Sequence, residues 1–394
     1  MKTMELRLKN DYNTAFFFSL LRVGLWENSG SLAKPDGSYF STDEVNWEIV
    51  LELAKKQSVV GLVAAGIEIC KVNVPRFSVS RSVTMQFIRH LMMLEKRNAA
   101  MNRFIRLLTK KMRKAGIEPV LVKGQGVAQC YERPLLRAFG DVDLFFSTDD
   151  YERAKAYLMP YASAVEREYV REKHLGMIID SWLVELHGTL YGGLSRRINR
   201  VLDEIQRETF NGGHVRLWDN NGVASKMLSV ENDIVYVFAH FINHFFKEGI
   251  GLRQICDWCR LLWVYRDDVD MALVEKRIRQ MGLVSEWNAF ATYAVCYLGL
   301  PPMANGLLFD CNENSKTLKR KAERINSYIL RVGMMGGNRD RGHFRKYPYL
   351  MSKWFSMKRR IGNLLTHARI FPLDSLRFLP MIMYYGIRSA MRGE

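Results

Sequence analysis

The sequence predicts an α+β protein, an α/β core set between an N-terminal and a C-terminal helical region. Two observations predict it. Residues 1–115 and 221–335 carry apolar side chains mostly at the three-to-four spacing of helices. Between them, over 116–190, short β-branched runs alternate with helix-sized segments. The regions expected are therefore 1–115 helical, 116–220 an α/β core, 221–335 helical, and 336–394 a basic helical tail.

Within the first region, Asp43 stands where it would cap a helix through Trp47–Lys55, and Val59–Ile69 is apolar and rich in Ala and Gly. A longer segment, Val83–Lys114, places Phe87, Leu91, Leu94, Met101, Ile105 and Leu108 on one helical face, and Gly116 ends it. The period then changes. Ile117–Val122 reads as a strand running into Lys123-Gly-Gln-Gly126, with a helix-sized stretch to Tyr131. Asp141–Phe146 is the next strand, and Asp149 and Asp150 open a helix to about Met159. His174–Ile179 and Trp182–His187 flank Asp180-Ser181 as a hairpin, and residues 215–219 make one more strand. Helices follow at Asp233–Phe246, Leu252–Tyr265, across 272–300 and across 315–333, with a glycine-rich connector at Gly333–Gly342.

A hydrophobic share of 48% with 12% aromatics is that of a folded chain. No apolar run is long enough for a membrane span, and the N-terminal residues lack the apolar core of a signal peptide, so a cytoplasmic protein is expected. The six cysteines then read as reduced thiols, with Cys256 and Cys259 as buried helix residues. The net charge is +17, and residues 341–394 hold 11 Lys/Arg against 2 Asp/Glu, a local +9. Such a tail suits a polyanion, an anionic membrane surface or a polyphosphate substrate, and charge alone does not choose. Lys353–Arg360 mixes rings with bases as a nucleic-acid contact does, whereas Phe371–Met391 has the pattern of an amphipathic helix.

The chemistry concentrates at Asp141 and Asp143. Residues at i and i+2 of a strand point to one face, so the two carboxylates stand side by side, with Val142 and Leu144 turned away. Like charges so placed call for a cation, and an all-oxygen donor set suits Mg²⁺ with substrate phosphates. In the later strand Glu185 and His187 share a face; if that strand lies beside the first, Glu185 becomes a third acid. Lys123-Gly124-Gln125-Gly126 sits at a strand–helix turn, where glycines let backbone N–H groups approach a phosphate. His240 and His244 share a helix face without a third ligand at metal spacing, and Arg253, one turn before Asp257, either reaches a substrate phosphate from the helical region or pairs with Asp257.

The block Leu121–Phe145 resembles the core of the uncharacterised nucleotidyltransferase family, within the DNA polymerase β-like nucleotidyltransferase superfamily. The resemblance is carried by Lys123-Gly124 at the strand end, Arg137, and Gly140-Asp141-Val142-Asp143-Leu144; Val184-Glu-Leu-His187 and the helical stretch with His240, His244, Arg253 and Asp257 extend it over about 45–300. It implies a small mixed sheet elaborated by helices at both ends. It also implies transfer of a nucleoside monophosphate from an NTP to a hydroxyl acceptor with release of pyrophosphate. Asp141, Asp143 and Glu185 would be the catalytic and Mg²⁺-binding acids; Lys123, Gly124, Gln125, Gly126, Arg137 and His187 would bind the nucleotide. Two departures stand out: Gln125 replaces the serine or glycine frequent after the first glycine, and Glu185 replaces a frequent aspartate. The alternative is a protein that keeps the fold without turnover, an antitoxin-like module or a nucleic-acid binder.

Overall fold

The computed structural model describes residues 2–28, 41–247, 249–303, 306–309, 314–333, 351, 362 and 365–391. Four helices precede the sheet: α1 (Lys2–Trp26), α2 (Trp47–Lys56), α3 (Val60–Asn73) and α4 (Arg81–Lys114). The cap of α2 is Asn46, not Asp43. The Asn46 side chain accepts from the N–H groups of Glu48 and Ile49 at 3.1 and 3.3 Å, while Asp43 lies one turn earlier in a short 3₁₀ segment. Helices α1 and α3 cross with their backbones almost touching. A Cβ on Gly24 would fall 1.8 Å from the Leu62 carbonyl oxygen, and one on Gly66 2.2 Å from that of Leu20, so only glycine fits either position.

The sheet has seven strands in the order β3-β4-β5-β2-β1-β7-β6. They are β1 (Val120–Val122), β2 (Val142–Phe145), β3 (Ala164–Val165), β4 (His174–Ile179), β5 (Trp182–His187), β6 (Val215–Asp219) and β7 (Ala224–Leu228). The sheet is mixed: β2 runs antiparallel to β1 and parallel to β5, and β7 is parallel to β1. The expected hairpin joins β4 to β5, and Asp180 (φ 48°) and Ser181 (φ 67°) supply the two positive φ values that a tight two-residue turn demands. The sheet reaches Leu228, and residues 196–210, which carry no assignment from the sequence, form helix α7 (Arg196–Phe210).

Strand alternation divides the core. Leu121, Val142, Leu144, Val184 and Leu186 face one way, into a cluster with Phe104, Leu108 and Met112 of α4 and with Tyr151 and Leu158 of α6 (Thr148–Leu158). Val120, Val122 and Phe145 face the other way and join the larger core. That core is built by α1, α2, α3 and α7 together with α8 (Val230–Lys247), α9 (Leu252–Val264), α10 (Met271–Met281), α11 (Val284–Leu298) and α12 (Ser315–Val332). Trp258, Trp287 and Phe238 pack edge to face or tilted at its centre, with centroids 4.7–5.4 Å apart. Cys256 and Cys259 are buried there as free thiols. A last helix, α13 (Pro372–Met391), falls where the amphipathic pattern is expected, while the connector beyond Gly333 and the segment Lys353–Arg360 lie outside the described residues. Among the described residues no helix is long and apolar enough to cross a membrane.

Candidate active site

The site forms where β1, β2 and β5 meet. Asp141 is the last residue before β2, and Asp143 lies within it. The parallel pairing of β2 with β5 sets Asp143 opposite Glu185 and Phe145 opposite His187. One sheet face therefore carries Asp143, Glu185 and His187 together, and carboxylate oxygens of Asp141, Asp143 and Glu185 all lie within 4.8 Å of one another.

Two nitrogens converge on the central acid. Lys123 Nζ is 2.7 Å from Asp143 Oδ1, and His187 Nε2 is 2.9 Å from the same oxygen. His187 Nε2 also stands 3.6 Å from Glu185 Oε2, which His174 Nε2 approaches from β4 at 3.2 Å. The Tyr169, His174 and His187 rings stack nearly parallel, and this column backs the acids from the β4 side. From the opposite side α8 brings Tyr236 and His240, the Tyr236 ring centroid lying 5.9 Å from Lys123 Nζ.

The electrostatics separate the three acids. For Asp143, burial acts to raise its carboxyl, but Lys123 and His187 outweigh it and hold the group well below the usual carboxylate range. Glu185 also falls below its ordinary value; burial opposes this and the His174 hydrogen bond drives it. Asp141 moves the other way, raised by burial and then by the charges of Asp143 and Glu185. His187 is pushed down by burial and is neutral near pH 7. For Lys123, burial disfavours the charge, but Asp143 and then Tyr236 and Glu185 overcome it, so the amine stays protonated. Three carboxylates against one ammonium leave a net charge of about −2. That surplus and the all-oxygen donor set fit one divalent ion such as Mg²⁺. Lys123 and His187 both contact Oδ1 of Asp143.

The turn after β1 is strained at a residue that is not glycine. Lys123 has φ 56° and ψ −144°, a conformation costing about 1–3 kcal/mol for an L side chain. Gly124 follows at φ 44°, where a Cβ would sit 3.4 Å from the Asp141 carbonyl oxygen. The other members of the turn do different work. Gln125 is buried and turned to α4, its Nε2 donating to Asn98 Oδ1 at 2.8 Å; Asn98 in turn donates to the carbonyls of Leu135 and Arg137. Gly126 is needed for packing, because a Cβ there would meet Met227 Sδ of β7 at 2.7 Å.

Arg137 lies apart from the acid cluster's hydrogen bonds. Its guanidinium grips Asp257 of α9 through Nε and Nη2, each at 2.7 Å, and Tyr131 donates to the same carboxylate at 2.8 Å. The partner of Asp257 is thus Arg137 and not Arg253. Arg253 donates to the carbonyls of Ala138 and Phe139 at 3.3 and 3.0 Å, directly before Gly140 and Asp141. His240 and His244 face each other, Nε2 to Nε2 at 3.1 Å, and His240 is pushed well down by burial and by Lys123. Asn98, His174 and Tyr236 escape the sequence reading, since each lies on a different element whose place only the tertiary fold sets.

No curated protein matches the chain. Among solved structures it is similar to an antigenic nucleotidyltransferase-like protein from Paracoccidioides brasiliensis, with 13% identity and a TM-score of 0.29, over 47% of this chain and 90% of that one. The family model described as uncharacterised nucleotidyltransferase matches residues 43–299, a span that holds the whole carboxylate site and both histidine-bearing strands, and the chain belongs to that family.

Proposed function

We propose that the protein transfers a nucleoside monophosphate from an NTP to a hydroxyl acceptor, releasing pyrophosphate in an Mg²⁺-dependent reaction. The observation that carries this is the β2–β5 register, which brings Glu185 beside Asp143 and completes a three-acid group within 4.8 Å. Asp141, Asp143 and Glu185 would hold the metal, which when bound supplies charge to offset the phosphates and lowers the barrier to attack on phosphorus. Glu185 would accept the acceptor's proton as the hydroxyl oxygen forms its bond to the α-phosphorus. The bond from that phosphorus to the bridging oxygen breaks, and pyrophosphate leaves with the electron pair.

Other residues prepare the site. The Gly124 turn offers backbone N–H groups to the triphosphate. Lys123 holds Asp143 in the folded site and stands ready to meet phosphate charge. His187 orients Asp143 and Glu185 and remains uncharged there. Arg137 acts one step removed, by fixing α9 to the loop that leads into Asp141. Gln125 serves the same loop through Asn98.

The test is Mg²⁺-dependent NTP binding by calorimetry with each of the four nucleotides, together with pyrophosphate release on a panel of hydroxyl acceptors. Wild type is expected to bind at least one NTP, and Asp141→Asn/Asp143→Asn to lose Mg²⁺-dependent binding. A wild type that binds none of the four overturns the reading.

A further inference from the structure

Helix α4 has two sides of different chemistry. Its inner side, including Phe87, Leu91, Leu94, Phe104 and Leu108, is buried. Its outer side combines exposed apolar residues with bases. Met85, Ile88, Met92 and Met93 are 52%, 40%, 65% and 51% exposed, and Leu107 is 47% exposed further along. Arg89, Lys96, Arg103 and Lys110 are exposed at the same helical spacing. Over its 34 residues the helix holds ten Lys/Arg and a single acid, Glu95, a net +9. At about 1.5 Å per residue that is a stripe about 50 Å long.

We infer that the outer face of α4 is a docking surface for an anionic lipid bilayer. A face that only kept the protein in solution would mix both signs of charge and hide its aliphatic groups. Here bases stand among exposed methionines and an isoleucine, the composition of a helix that lies in a membrane interface. The bases meet lipid phosphates and the aliphatic side chains enter the acyl boundary. A nucleic acid would use the charge but not the aliphatics, and its bases would need rings for stacking. The phenylalanines of α4, Phe87 and Phe104, are both buried. Helix α4 covers the sheet face that bears Leu121, Val142 and Val184, and Asp143 and Glu185 stand on the opposite face. Docking through α4 therefore leaves the acid side open to a soluble nucleotide.

The experiment is flotation of the full-length protein with phosphatidylcholine vesicles, with and without phosphatidylglycerol. Binding is expected only with phosphatidylglycerol, and it should weaken as salt rises. Met85→Glu/Met92→Glu should lower the bound fraction at least about fivefold, and Arg89→Gln/Lys96→Gln should do likewise. All four positions are exposed, so thermal melts should match wild type, and NTP binding should be unchanged. A full-length variant neutralised in the tail, Lys353→Gln/Lys358→Gln/Arg359→Gln/Arg360→Gln, should keep most of its binding. The inference is overturned if wild type ignores anionic vesicles or prefers single-stranded nucleic acid to them. It is equally overturned if both α4 variants bind as well as wild type.

Discussion

At the scale of single residues, the centre of the site is Asp143. Its Oδ1 accepts from Lys123 at 2.7 Å and from His187 at 2.9 Å, so its orientation is set before any ligand arrives. Under the proposed reaction, Asp143→Asn should lower turnover at least about 100-fold, the scale on which a preorganised electrostatic group acts. His187→Gln keeps a polar group at the position but loses the bridge to Glu185, and Mg²⁺ affinity should drop about 10–100-fold. Lys123 offers a test that needs no turnover. Its ammonium offsets one of three clustered carboxylates, so Lys123→Met leaves them without a counter-charge. The melting temperature of that variant should fall in EDTA, and Mg²⁺ should restore more of it than it adds to wild type. Equal Mg²⁺ shifts in the two proteins would show that the ion and the ammonium do not share this charge. The backbone cost at Lys123, φ 56°, is explained by the same contact: glycine would relax the turn but take the ammonium away from Asp143, leaving it the His187 contact alone of the two.

At the scale of elements, much of the site was legible because strands impose a period of two. Asp141-Val-Asp143 and Glu185-Leu-His187 each announce a polar face in the sequence alone, and Asp180-Ser181 marks the hairpin that presents the second. Their adjacency was not legible, since which strand lies beside which is decided by the whole sheet. Helix α7 is a different case. Ile198, Val201, Leu202 and Ile205 repeat at helical spacing and all are buried, so its signal is present in the sequence. Strand β7 was hidden because Ala224–Leu228 is short and is defined by its pairings, antiparallel with β6 and parallel with β1. The role of Arg137 was also beyond local pattern. Its partner is 120 residues away, and the pair is nearly dry, with side-chain exposures of 4% and 9%. Removing one member of such a pair leaves a buried charge, so Arg137→Met should cost about 3–5 kcal/mol in chemical denaturation. Arg137→Met/Asp257→Leu should recover a large part of that loss. A double variant no more stable than Arg137→Met would mean that the pair's geometry, and not its unpaired charge, holds α9 to the loop.

At the scale of the whole molecule, the helical regions were readable as helices, but their assembly rests on contacts between segments far apart in sequence. Trp26 Nε1 donates to the Leu298 carbonyl at 2.6 Å, and Gln57 to that of Ile329 at 3.0 Å, so N-terminal helices are tied to the later bundle. Helix α13 closes on the same bundle through a buried acid. Glu286 of α11 is fully buried, and its carboxyl is pushed well up, by burial first and by the charge of Asp374 on α13 second. Asp374 is raised as well, by burial, against the pull of Glu286, Arg377 and Lys321. A carboxyl whose folded value lies above its unfolded value binds more protons when folded. Stability from this contact is therefore fully present below the unfolded carboxyl value, near 4.5, and is lost as pH rises toward the folded one. Glu286→Gln removes the ionisation while keeping the volume. In urea melts it should match wild type near pH 4 and exceed it at pH 8, and the wild-type curve should fall more steeply with pH between those points. A variant that is less stable than wild type at both pH values would mean that Glu286 is held in its site as an anion.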